Sequence, residues 1–140
     1  MAVAFSHVAL SCRDPLETER FYSRYFGFTR ARVIPLGDTQ IVFIKSGPVY
    51  LELFAAEGDV TQKFEGDGPH SAGIRHIAFQ VDNVDEVLAQ IGDAAPITLG
   101  PLDFDAFIPG WRTVWVSDPD GNIVEVSQGY TDEAAPPPLV

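Results

Sequence analysis

The alternation of apolar and polar positions runs through the same order twice. Ser6-His7-Val8-Ala9-Leu10 and Arg75-His76-Ile77-Ala78-Phe79 each read as a short strand, and each is followed by a polar cap and an amphipathic stretch. In the first stretch Asp14 caps, Pro15 suits the first helical position, Phe21, Tyr22, Tyr25 and Phe26 supply an apolar face, and Gly27 stops the helix. In the second, Asn83 caps, Val84, Val87, Leu88 and Ile91 fall at helical spacing, and Gly92 stops it. The period then changes to two, which predicts strands over about 28–35, 39–45 and 49–55, and again over 97–104, 111–117 and 122–128. Gly47-Pro48 and Asp118-Pro119-Asp120-Gly121 break the last pair of each half. The predicted fold class is α+β, built from two βαβββ modules over 4–56 and 73–130. A Gly- and Pro-containing linker spans 57–72, and the Pro-rich tail runs over 131–140.

The last strands also match, Val49-Tyr50-Leu51-Glu52-Leu53 against Asn122-Ile123-Val124-Glu125-Val126. One side-chain parity on the first and last strands carries Val8, Leu10, Leu51, Leu53, Ile77, Phe79, Val124 and Val126, the set that packs under the helices. The opposite parity carries His7, Glu52, His76 and Glu125 among Phe5, Ala9, Tyr50, Phe54, Ile74, Ala78 and Ile123, and reads as the wall of a pocket. Two imidazoles and two carboxylates on an otherwise apolar face are costly unless paired with each other or with a cation. Two His-Glu pairs in a structural network would satisfy them. So would a borderline divalent ion (Ni2+, Co2+, Zn2+, Mn2+ or Fe2+) held by His7, Glu52, His76 and Glu125, with coordination positions left for water or substrate. His70, beside Pro69, receives no ligand role.

Composition narrows the partners. A formal charge of −11, from 9 Lys+Arg against 20 Asp+Glu, disfavours nucleic acid and anionic membranes as partners. The single cysteine, Cys12, lies in an apolar run and forms no internal disulfide. With no apolar run of spanning length and no signal-like start, the expectation is a cytoplasmic protein.

The paired modules, the His at each first strand, the Glu at each last strand and the run Asp118-Pro119-Asp120-Gly121-Asn122-Ile123-Val124-Glu125 resemble the vicinal oxygen chelate superfamily. That superfamily includes glyoxalase I, methylmalonyl-CoA epimerase, fosfomycin-resistance enzymes, extradiol dioxygenases and bleomycin-binding proteins. The resemblance covers about residues 4 to 130. It implies a single domain over 1–140, a cup-shaped mixed sheet with helices outside, and a homodimer. The order His, Glu, His, Glu is most similar to small bacterial glyoxalase I enzymes, which implies that His7, Glu52, His76 and Glu125 all bind metal. Extradiol dioxygenases and fosfomycin-resistance enzymes lack a ligand at the Glu52 place, and methylmalonyl-CoA epimerases usually carry Gln there. Bleomycin-binding members hold a ligand without such a set. The Asn and Arg of glutathione-binding members have no counterpart, since Ala55, Ala56 and Ser11 stand at those places, with Arg13 shifted by two.

The implied chemistry is metal chelation of two adjacent substrate oxygens with proton transfer by a glutamate, as a lyase or isomerase. Glu125 is the first choice of base and Glu52 the alternative. An epimerase-like isomerase, or a metal-free small-molecule binding or resistance protein, are the other readings. Phe104, Phe107, Trp111 and Trp115, with Leu102 and Ile108, cluster in and beside the Pro101–Gly110 stretch and form a candidate substrate pocket or lid; ordinary core is the competing role. Arg112 is a candidate partner for a substrate carboxylate, or simply an exposed strand arginine.

Overall fold

A computed structural model describes residues 2–58, 65–70 and 72–139; part of the linker expected at 57–72 therefore lies outside the described residues. Strand β1 (Val8–Cys12), helix α1 (Pro15–Phe26) and strands β2 (Thr29–Leu36), β3 (Thr39–Ser46) and β4 (Val49–Ala55) are followed by the same order again. The second set is β5 (Ile77–Gln80), α2 (Val84–Ile91), β6 (Ile97–Asp103), β7 (Arg112–Ser117) and β8 (Ile123–Gln128). Each βαβββ set makes its own four-stranded mixed sheet, ordered β1-β4-β3-β2 and β5-β8-β7-β6. The α+β architecture is thus the predicted one. The chain divides into two compact units, Met1–Phe64 with Ser117–Asn122, and Glu65–Val116 with Ile123–Val140.

Local chemistry sets the helix limits. The Asp14 carboxylate accepts from the Leu16 amide at 3.0 Å, Pro15 opens α1, and Gly27 closes it in the left-handed region at φ 70°, where a Cβ is disfavoured. Asn83 accepts from the Glu86 amide at 3.1 Å and starts α2. In the first unit α1 lies on β1, β3 and β4, where Leu51, Leu53, Val42 and Ile44 are fully buried with Tyr22 and Phe21. Each such aliphatic side chain contributes about 1.5–3 kcal/mol by leaving water. Of the eight residues expected on the helix-packed parity, Leu10, Leu51, Leu53, Val124 and Val126 are buried and Val8, Ile77 and Phe79 half-buried; on the other face Glu52 and Glu125 are half-buried, while Ile123 is buried.

Thr18 and Tyr22 are polar groups buried in the helix face of the first unit, and the 117–122 turn explains them. Tyr22 Oη donates to Asp118 Oδ2 at 2.7 Å, and Thr18 Oγ1 donates to Asp120 Oδ2 at 2.7 Å. Asp118 also accepts from the amides of Asp120 and Asn122 and from Asn122 Nδ2, while the Arg13 amide donates to Asp120 Oδ1. The Asp-Pro-Asp-Gly segment, expected only to break strands, is therefore also a buried polar anchor. Burial pushes the Asp118 carboxyl above its ordinary range despite these donors, raises the Tyr22 hydroxyl well above its own, and drives the Cys12 thiol up to about 12.

A raised carboxyl means that the folded protein holds this proton more tightly than the unfolded chain. Its stabilising contribution is complete at low pH and is lost as pH rises through the folded value. Removing the Tyr22 donor leaves the ionised form less compensated. Tyr22→Phe should lower unfolding free energy by about 1–3 kcal/mol at neutral pH, and the loss should shrink as pH falls towards protonation of Asp118; urea titrations at several pH values check both.

Candidate functional site

Strand register sets the geometry of each His-Glu pair. Strand β1 pairs in parallel with β4, placing Ala9 opposite Glu52, and β5 pairs in parallel with β8, placing Ala78 opposite Glu125. His7 and His76 stand two residues before those alanines, one residue ahead of β1 and β5 and not inside them as expected. Two residues on is the same face, so each imidazole lies diagonally across from its glutamate, and the small alanine between them leaves room. In the first unit His7 Nε2 is 3.8 Å from Glu52 Oε1; in the second His76 Nε2 is 3.2 Å from Glu125 Oε2. The four predicted ligands thus occur as two pairs, one per unit, and no cluster of three or more metal-binding side chains occurs among the described residues.

The pairs differ in their surroundings. His76 Nδ1 lies 2.8 Å from the backbone carbonyl of Asp67. A carbonyl only accepts, so Nδ1 carries the proton, and in the neutral ring the bare Nε2 lone pair faces the carboxylate. In the loop supplying that carbonyl the exposed Asp67 side chain pairs with Arg75 at 2.8 Å, and this hydrogen bond lowers the Asp67 carboxyl below its usual range. Gly68, at φ 87°, passes so close to the Arg75 carbonyl that a Cβ would collide with it. On the other side Thr113 Oγ1 lies 2.9 Å from Glu125 Oε1 and 3.2 Å from the Val126 carbonyl; its single proton goes to the nearer, charged acceptor.

The first pair is set in apolar ground. The His7 ring meets Phe43 edge-on at 5.9 Å, Nδ1 is 2.8 Å from Ser6 Oγ, and a pocket of about 310 Å³ beside it is lined by Phe5, Ser6, His7, Phe43, Pro48 and Tyr50. The sequence placed Phe5, His7 and Tyr50 on a pocket wall but not Ser6, Phe43 or Pro48. Phe5 and Tyr50 on the His7-Glu52 parity were its only signal, because the contributions of Phe43 and Pro48 depend on the β3–β4 hairpin register, Phe43 opposite Glu52.

The expected pocket residues of the second unit separate. Phe104 meets Phe107 and Trp111 in tilted ring contacts, Tyr130 lies edge-on to Trp111, and Phe107 is 77% exposed. Their segment closes on itself through Phe107 and Ile108 amide bonds to the Phe104 carbonyl and the Gly110 amide bond to Asp105. Arg112 is engaged by Asp85 at 3.0 Å and Asp103 at 3.1 Å. Of the four aromatic candidates only Trp115 is in ring contact with a candidate ligand among the described residues, edge-on to His76 at 6.3 Å.

The donor set suits a divalent ion. Cis ligands at about 2.0–2.2 Å from one ion lie about 3 Å apart, close to the 3.2 Å of His76 and Glu125; the 3.8 Å of His7 and Glu52 must close somewhat. The family model of the Glyoxalase/Bleomycin resistance protein/Dioxygenase superfamily matches residues 4–126. The chain belongs to this superfamily. The protein YwkD of Bacillus subtilis (strain 168) is 26% identical over 117 residues, covering 81% of this chain and 88% of its own length. A glyoxalase family protein from Enterococcus faecalis is 27% identical, with a TM-score of 0.67 and coverage of 89% of this chain and 96% of that one. A single-substitution mutant of the fosfomycin resistance protein FosX from Listeria monocytogenes, 19% identical with a TM-score of 0.68 and coverage of 90% and 92%, shares the fold; its crystals contain Mn(II) and dihydroxypropylphosphonic acid.

The carbonyl partner of His76 makes a direct spectroscopic prediction. In histidine-labelled protein the 15N signals should show Nδ1 protonated and Nε2 bare in the neutral His76 ring, the minority form for free histidine. An Nε2–H tautomer would contradict the geometry.

Proposed function

We propose that this superfamily member is a metal-dependent lyase or isomerase, similar to glyoxalase I, acting on a small molecule with two adjacent oxygens. The observation that carries the proposal is the pair His76 Nε2 and Glu125 Oε2, 3.2 Å apart with the His76 proton committed to the Asp67 carbonyl. Two lone pairs at that distance repel unless a proton or a cation lies between them. A bound divalent ion would supply polarisation of the chelated oxygens and acidify the neighbouring C–H. His76 and Glu125, with His7 and Glu52, are its proposed ligands.

The residues of the chain then orient the substrate and move its proton. Glu125 and Glu52 are the candidate bases. Thr113 restrains Glu125, whereas Glu52 meets His7 at the longer distance of 3.8 Å, so freedom to approach and leave a substrate carbon favours Glu52. The pocket beside His7 mixes Phe5, Phe43 and Pro48 with Ser6 and Tyr50, a lining that suits an aromatic substituent carrying a polar group. We further propose a homodimer working in the cytoplasm, where the buried Cys12 stays reduced; among the described residues no helix is long and apolar enough to cross a membrane.

The same pocket favours one second reading, a metal-free binder of a small apolar compound. Elemental analysis separates the two. The enzyme reading expects stoichiometric divalent metal after purification, near-complete loss in His76→Ala, partial retention in Glu52→Gln, and about tenfold weaker binding in Thr113→Val through the loosened glutamate. Metal-free wild type that takes up no added Mn2+, Ni2+, Co2+, Zn2+ or Fe2+ supports the binder.

A further inference from the structure

The pocket beside His7 has a charged neighbour outside its lining. Phe43 and Tyr50 line it, and strand register ties Lys45 to both: Lys45 stands two residues after Phe43 on β3 and directly opposite Tyr50 on β4. Alternate residues of one strand share a face, as do directly opposed residues of neighbouring strands, whose Cβ atoms lie about 5 Å apart. Lys45 therefore belongs to the pocket side of the sheet. The next strand adds a second cation on that side, since Arg32 on β2 is opposite Phe43. The other face of β3 and β4 is closed, with Val42, Ile44, Leu51 and Leu53 buried where α1 packs.

Both cations are exposed and uncommitted. Elsewhere Arg13 meets Asp120, Arg30 meets Glu19, Arg75 meets Asp67, and Arg112 meets Asp85 and Asp103. The side chains of Lys45 and Arg32 have no ion-pair or hydrogen-bond partner among the described residues, although acidic residues outnumber basic ones by 20 to 9. Glu52, the carboxylate diagonal to Lys45 in the register, lies 3.8 Å from His7 instead. A net charge of −11 opposes an approaching anion at long range, so an anion held by this chain needs cations at the site itself. Lys45 and Arg32 supply them beside a pocket walled by Phe5, Phe43 and Tyr50.

We infer that Lys45, with Arg32 beside it, forms an anion-binding edge of the pocket next to His7, and that the small molecule seated there is an aromatic compound carrying a carboxylate, phosphate or similar oxyanion. The inference rests on the reading above in taking this pocket as the seat of the substrate, and it gives the polar group of that substrate a negative sign. The ring of such a molecule fills the aromatic part of the pocket while its anionic group reaches out to the lysine and arginine. Both cations stay hydrated until the anion arrives, so neither carries the cost of a buried charge in the empty protein. A neutral analogue of the same shape keeps the ring contacts and loses the ionic ones.

Benzenesulfonate and methyl phenyl sulfone make a matched pair of probes, one anionic and one neutral, and both are poor metal ligands. In 1H–15N titrations of the full chain, benzenesulfonate should move the Phe43 and Tyr50 amide signals and bind about three- to tenfold more tightly than the sulfone, a range between a screened surface pair and a charge-assisted hydrogen bond. Raising the salt concentration should weaken the sulfonate and leave the sulfone unchanged. Lys45→Met, which keeps the length of an exposed side chain and removes its charge, should abolish most of the preference, and Arg32→Gln should remove a smaller part. Equal affinities in wild type, a preference that survives in Lys45→Met, or signals that neither probe moves overturn the inference. The metal-dependent reading is judged separately from the metal content of the same preparation: protein that takes up no metal yet shows the Lys45-dependent preference overturns that reading and supports the inference.

Discussion

Parallel pairing between the first and last strand of each module is the constraint on which the candidate site depends. It places Ala9 opposite Glu52 and Ala78 opposite Glu125 in the same register, so that an imidazole two residues upstream meets its glutamate diagonally in both units. A slip by one residue would turn Glu52 towards α1 and Leu51 or Leu53 towards the other face, exchanging an apolar core contact for a buried carboxylate. The cores of the two sheets and the two His-Glu pairs are thus held by the same ladders. Preserving one preserves the other.

Within that shared register the two pairs have diverged. Around His76 and Glu125 each polar atom is directed: Nδ1 by the Asp67 carbonyl, Oε1 by Thr113, with Trp115 against the ring. Around His7 and Glu52 the environment is aromatic and apolar, the pair is wider, and an open pocket adjoins it. A rigid, directed pair and a looser pair beside a cavity suit a division between holding and accommodating. Internal duplication supplies two copies of one geometry, and substitution around them, Phe43 in one sheet and Thr113 in the other, differentiates what each copy can do.

The element order, both helix caps, the limits of the later strands to within a residue and much of the helix-facing parity were legible in the sequence because each depends on neighbours a few residues away, whereas β1 and β5 begin two residues later than expected. The ligand candidates were legible because the duplication aligned His7 with His76 and Glu52 with Glu125. Partners distant in the chain were not. Nothing local to Asp118 announces that Tyr22 will donate to it, and nothing local to His76 announces the Asp67 carbonyl, since a main-chain acceptor carries no residue signature. The aromatic residues between Phe104 and Trp115 looked alike by composition. Their fates separated by position: Phe104, Phe107 and Trp111 fold into a loop cluster, whereas Trp115, deep in β7, reaches His76.

The acceptor that orients His76 belongs to the backbone, and this shifts where the chain is free to change. Any amino acid at position 67 presents a carbonyl, and the exposed pairing of its side chain with Arg75 is worth little. Position 68 inherits the restriction instead: with a Cβ there the loop must back away from Arg75, carrying the Asp67 carbonyl with it and leaving the imidazole to rotate. Among relatives of this chain that keep the same loop, drift at the residue touching the histidine would be silent, and the neighbouring glycine, which touches no candidate ligand, would bear the selection.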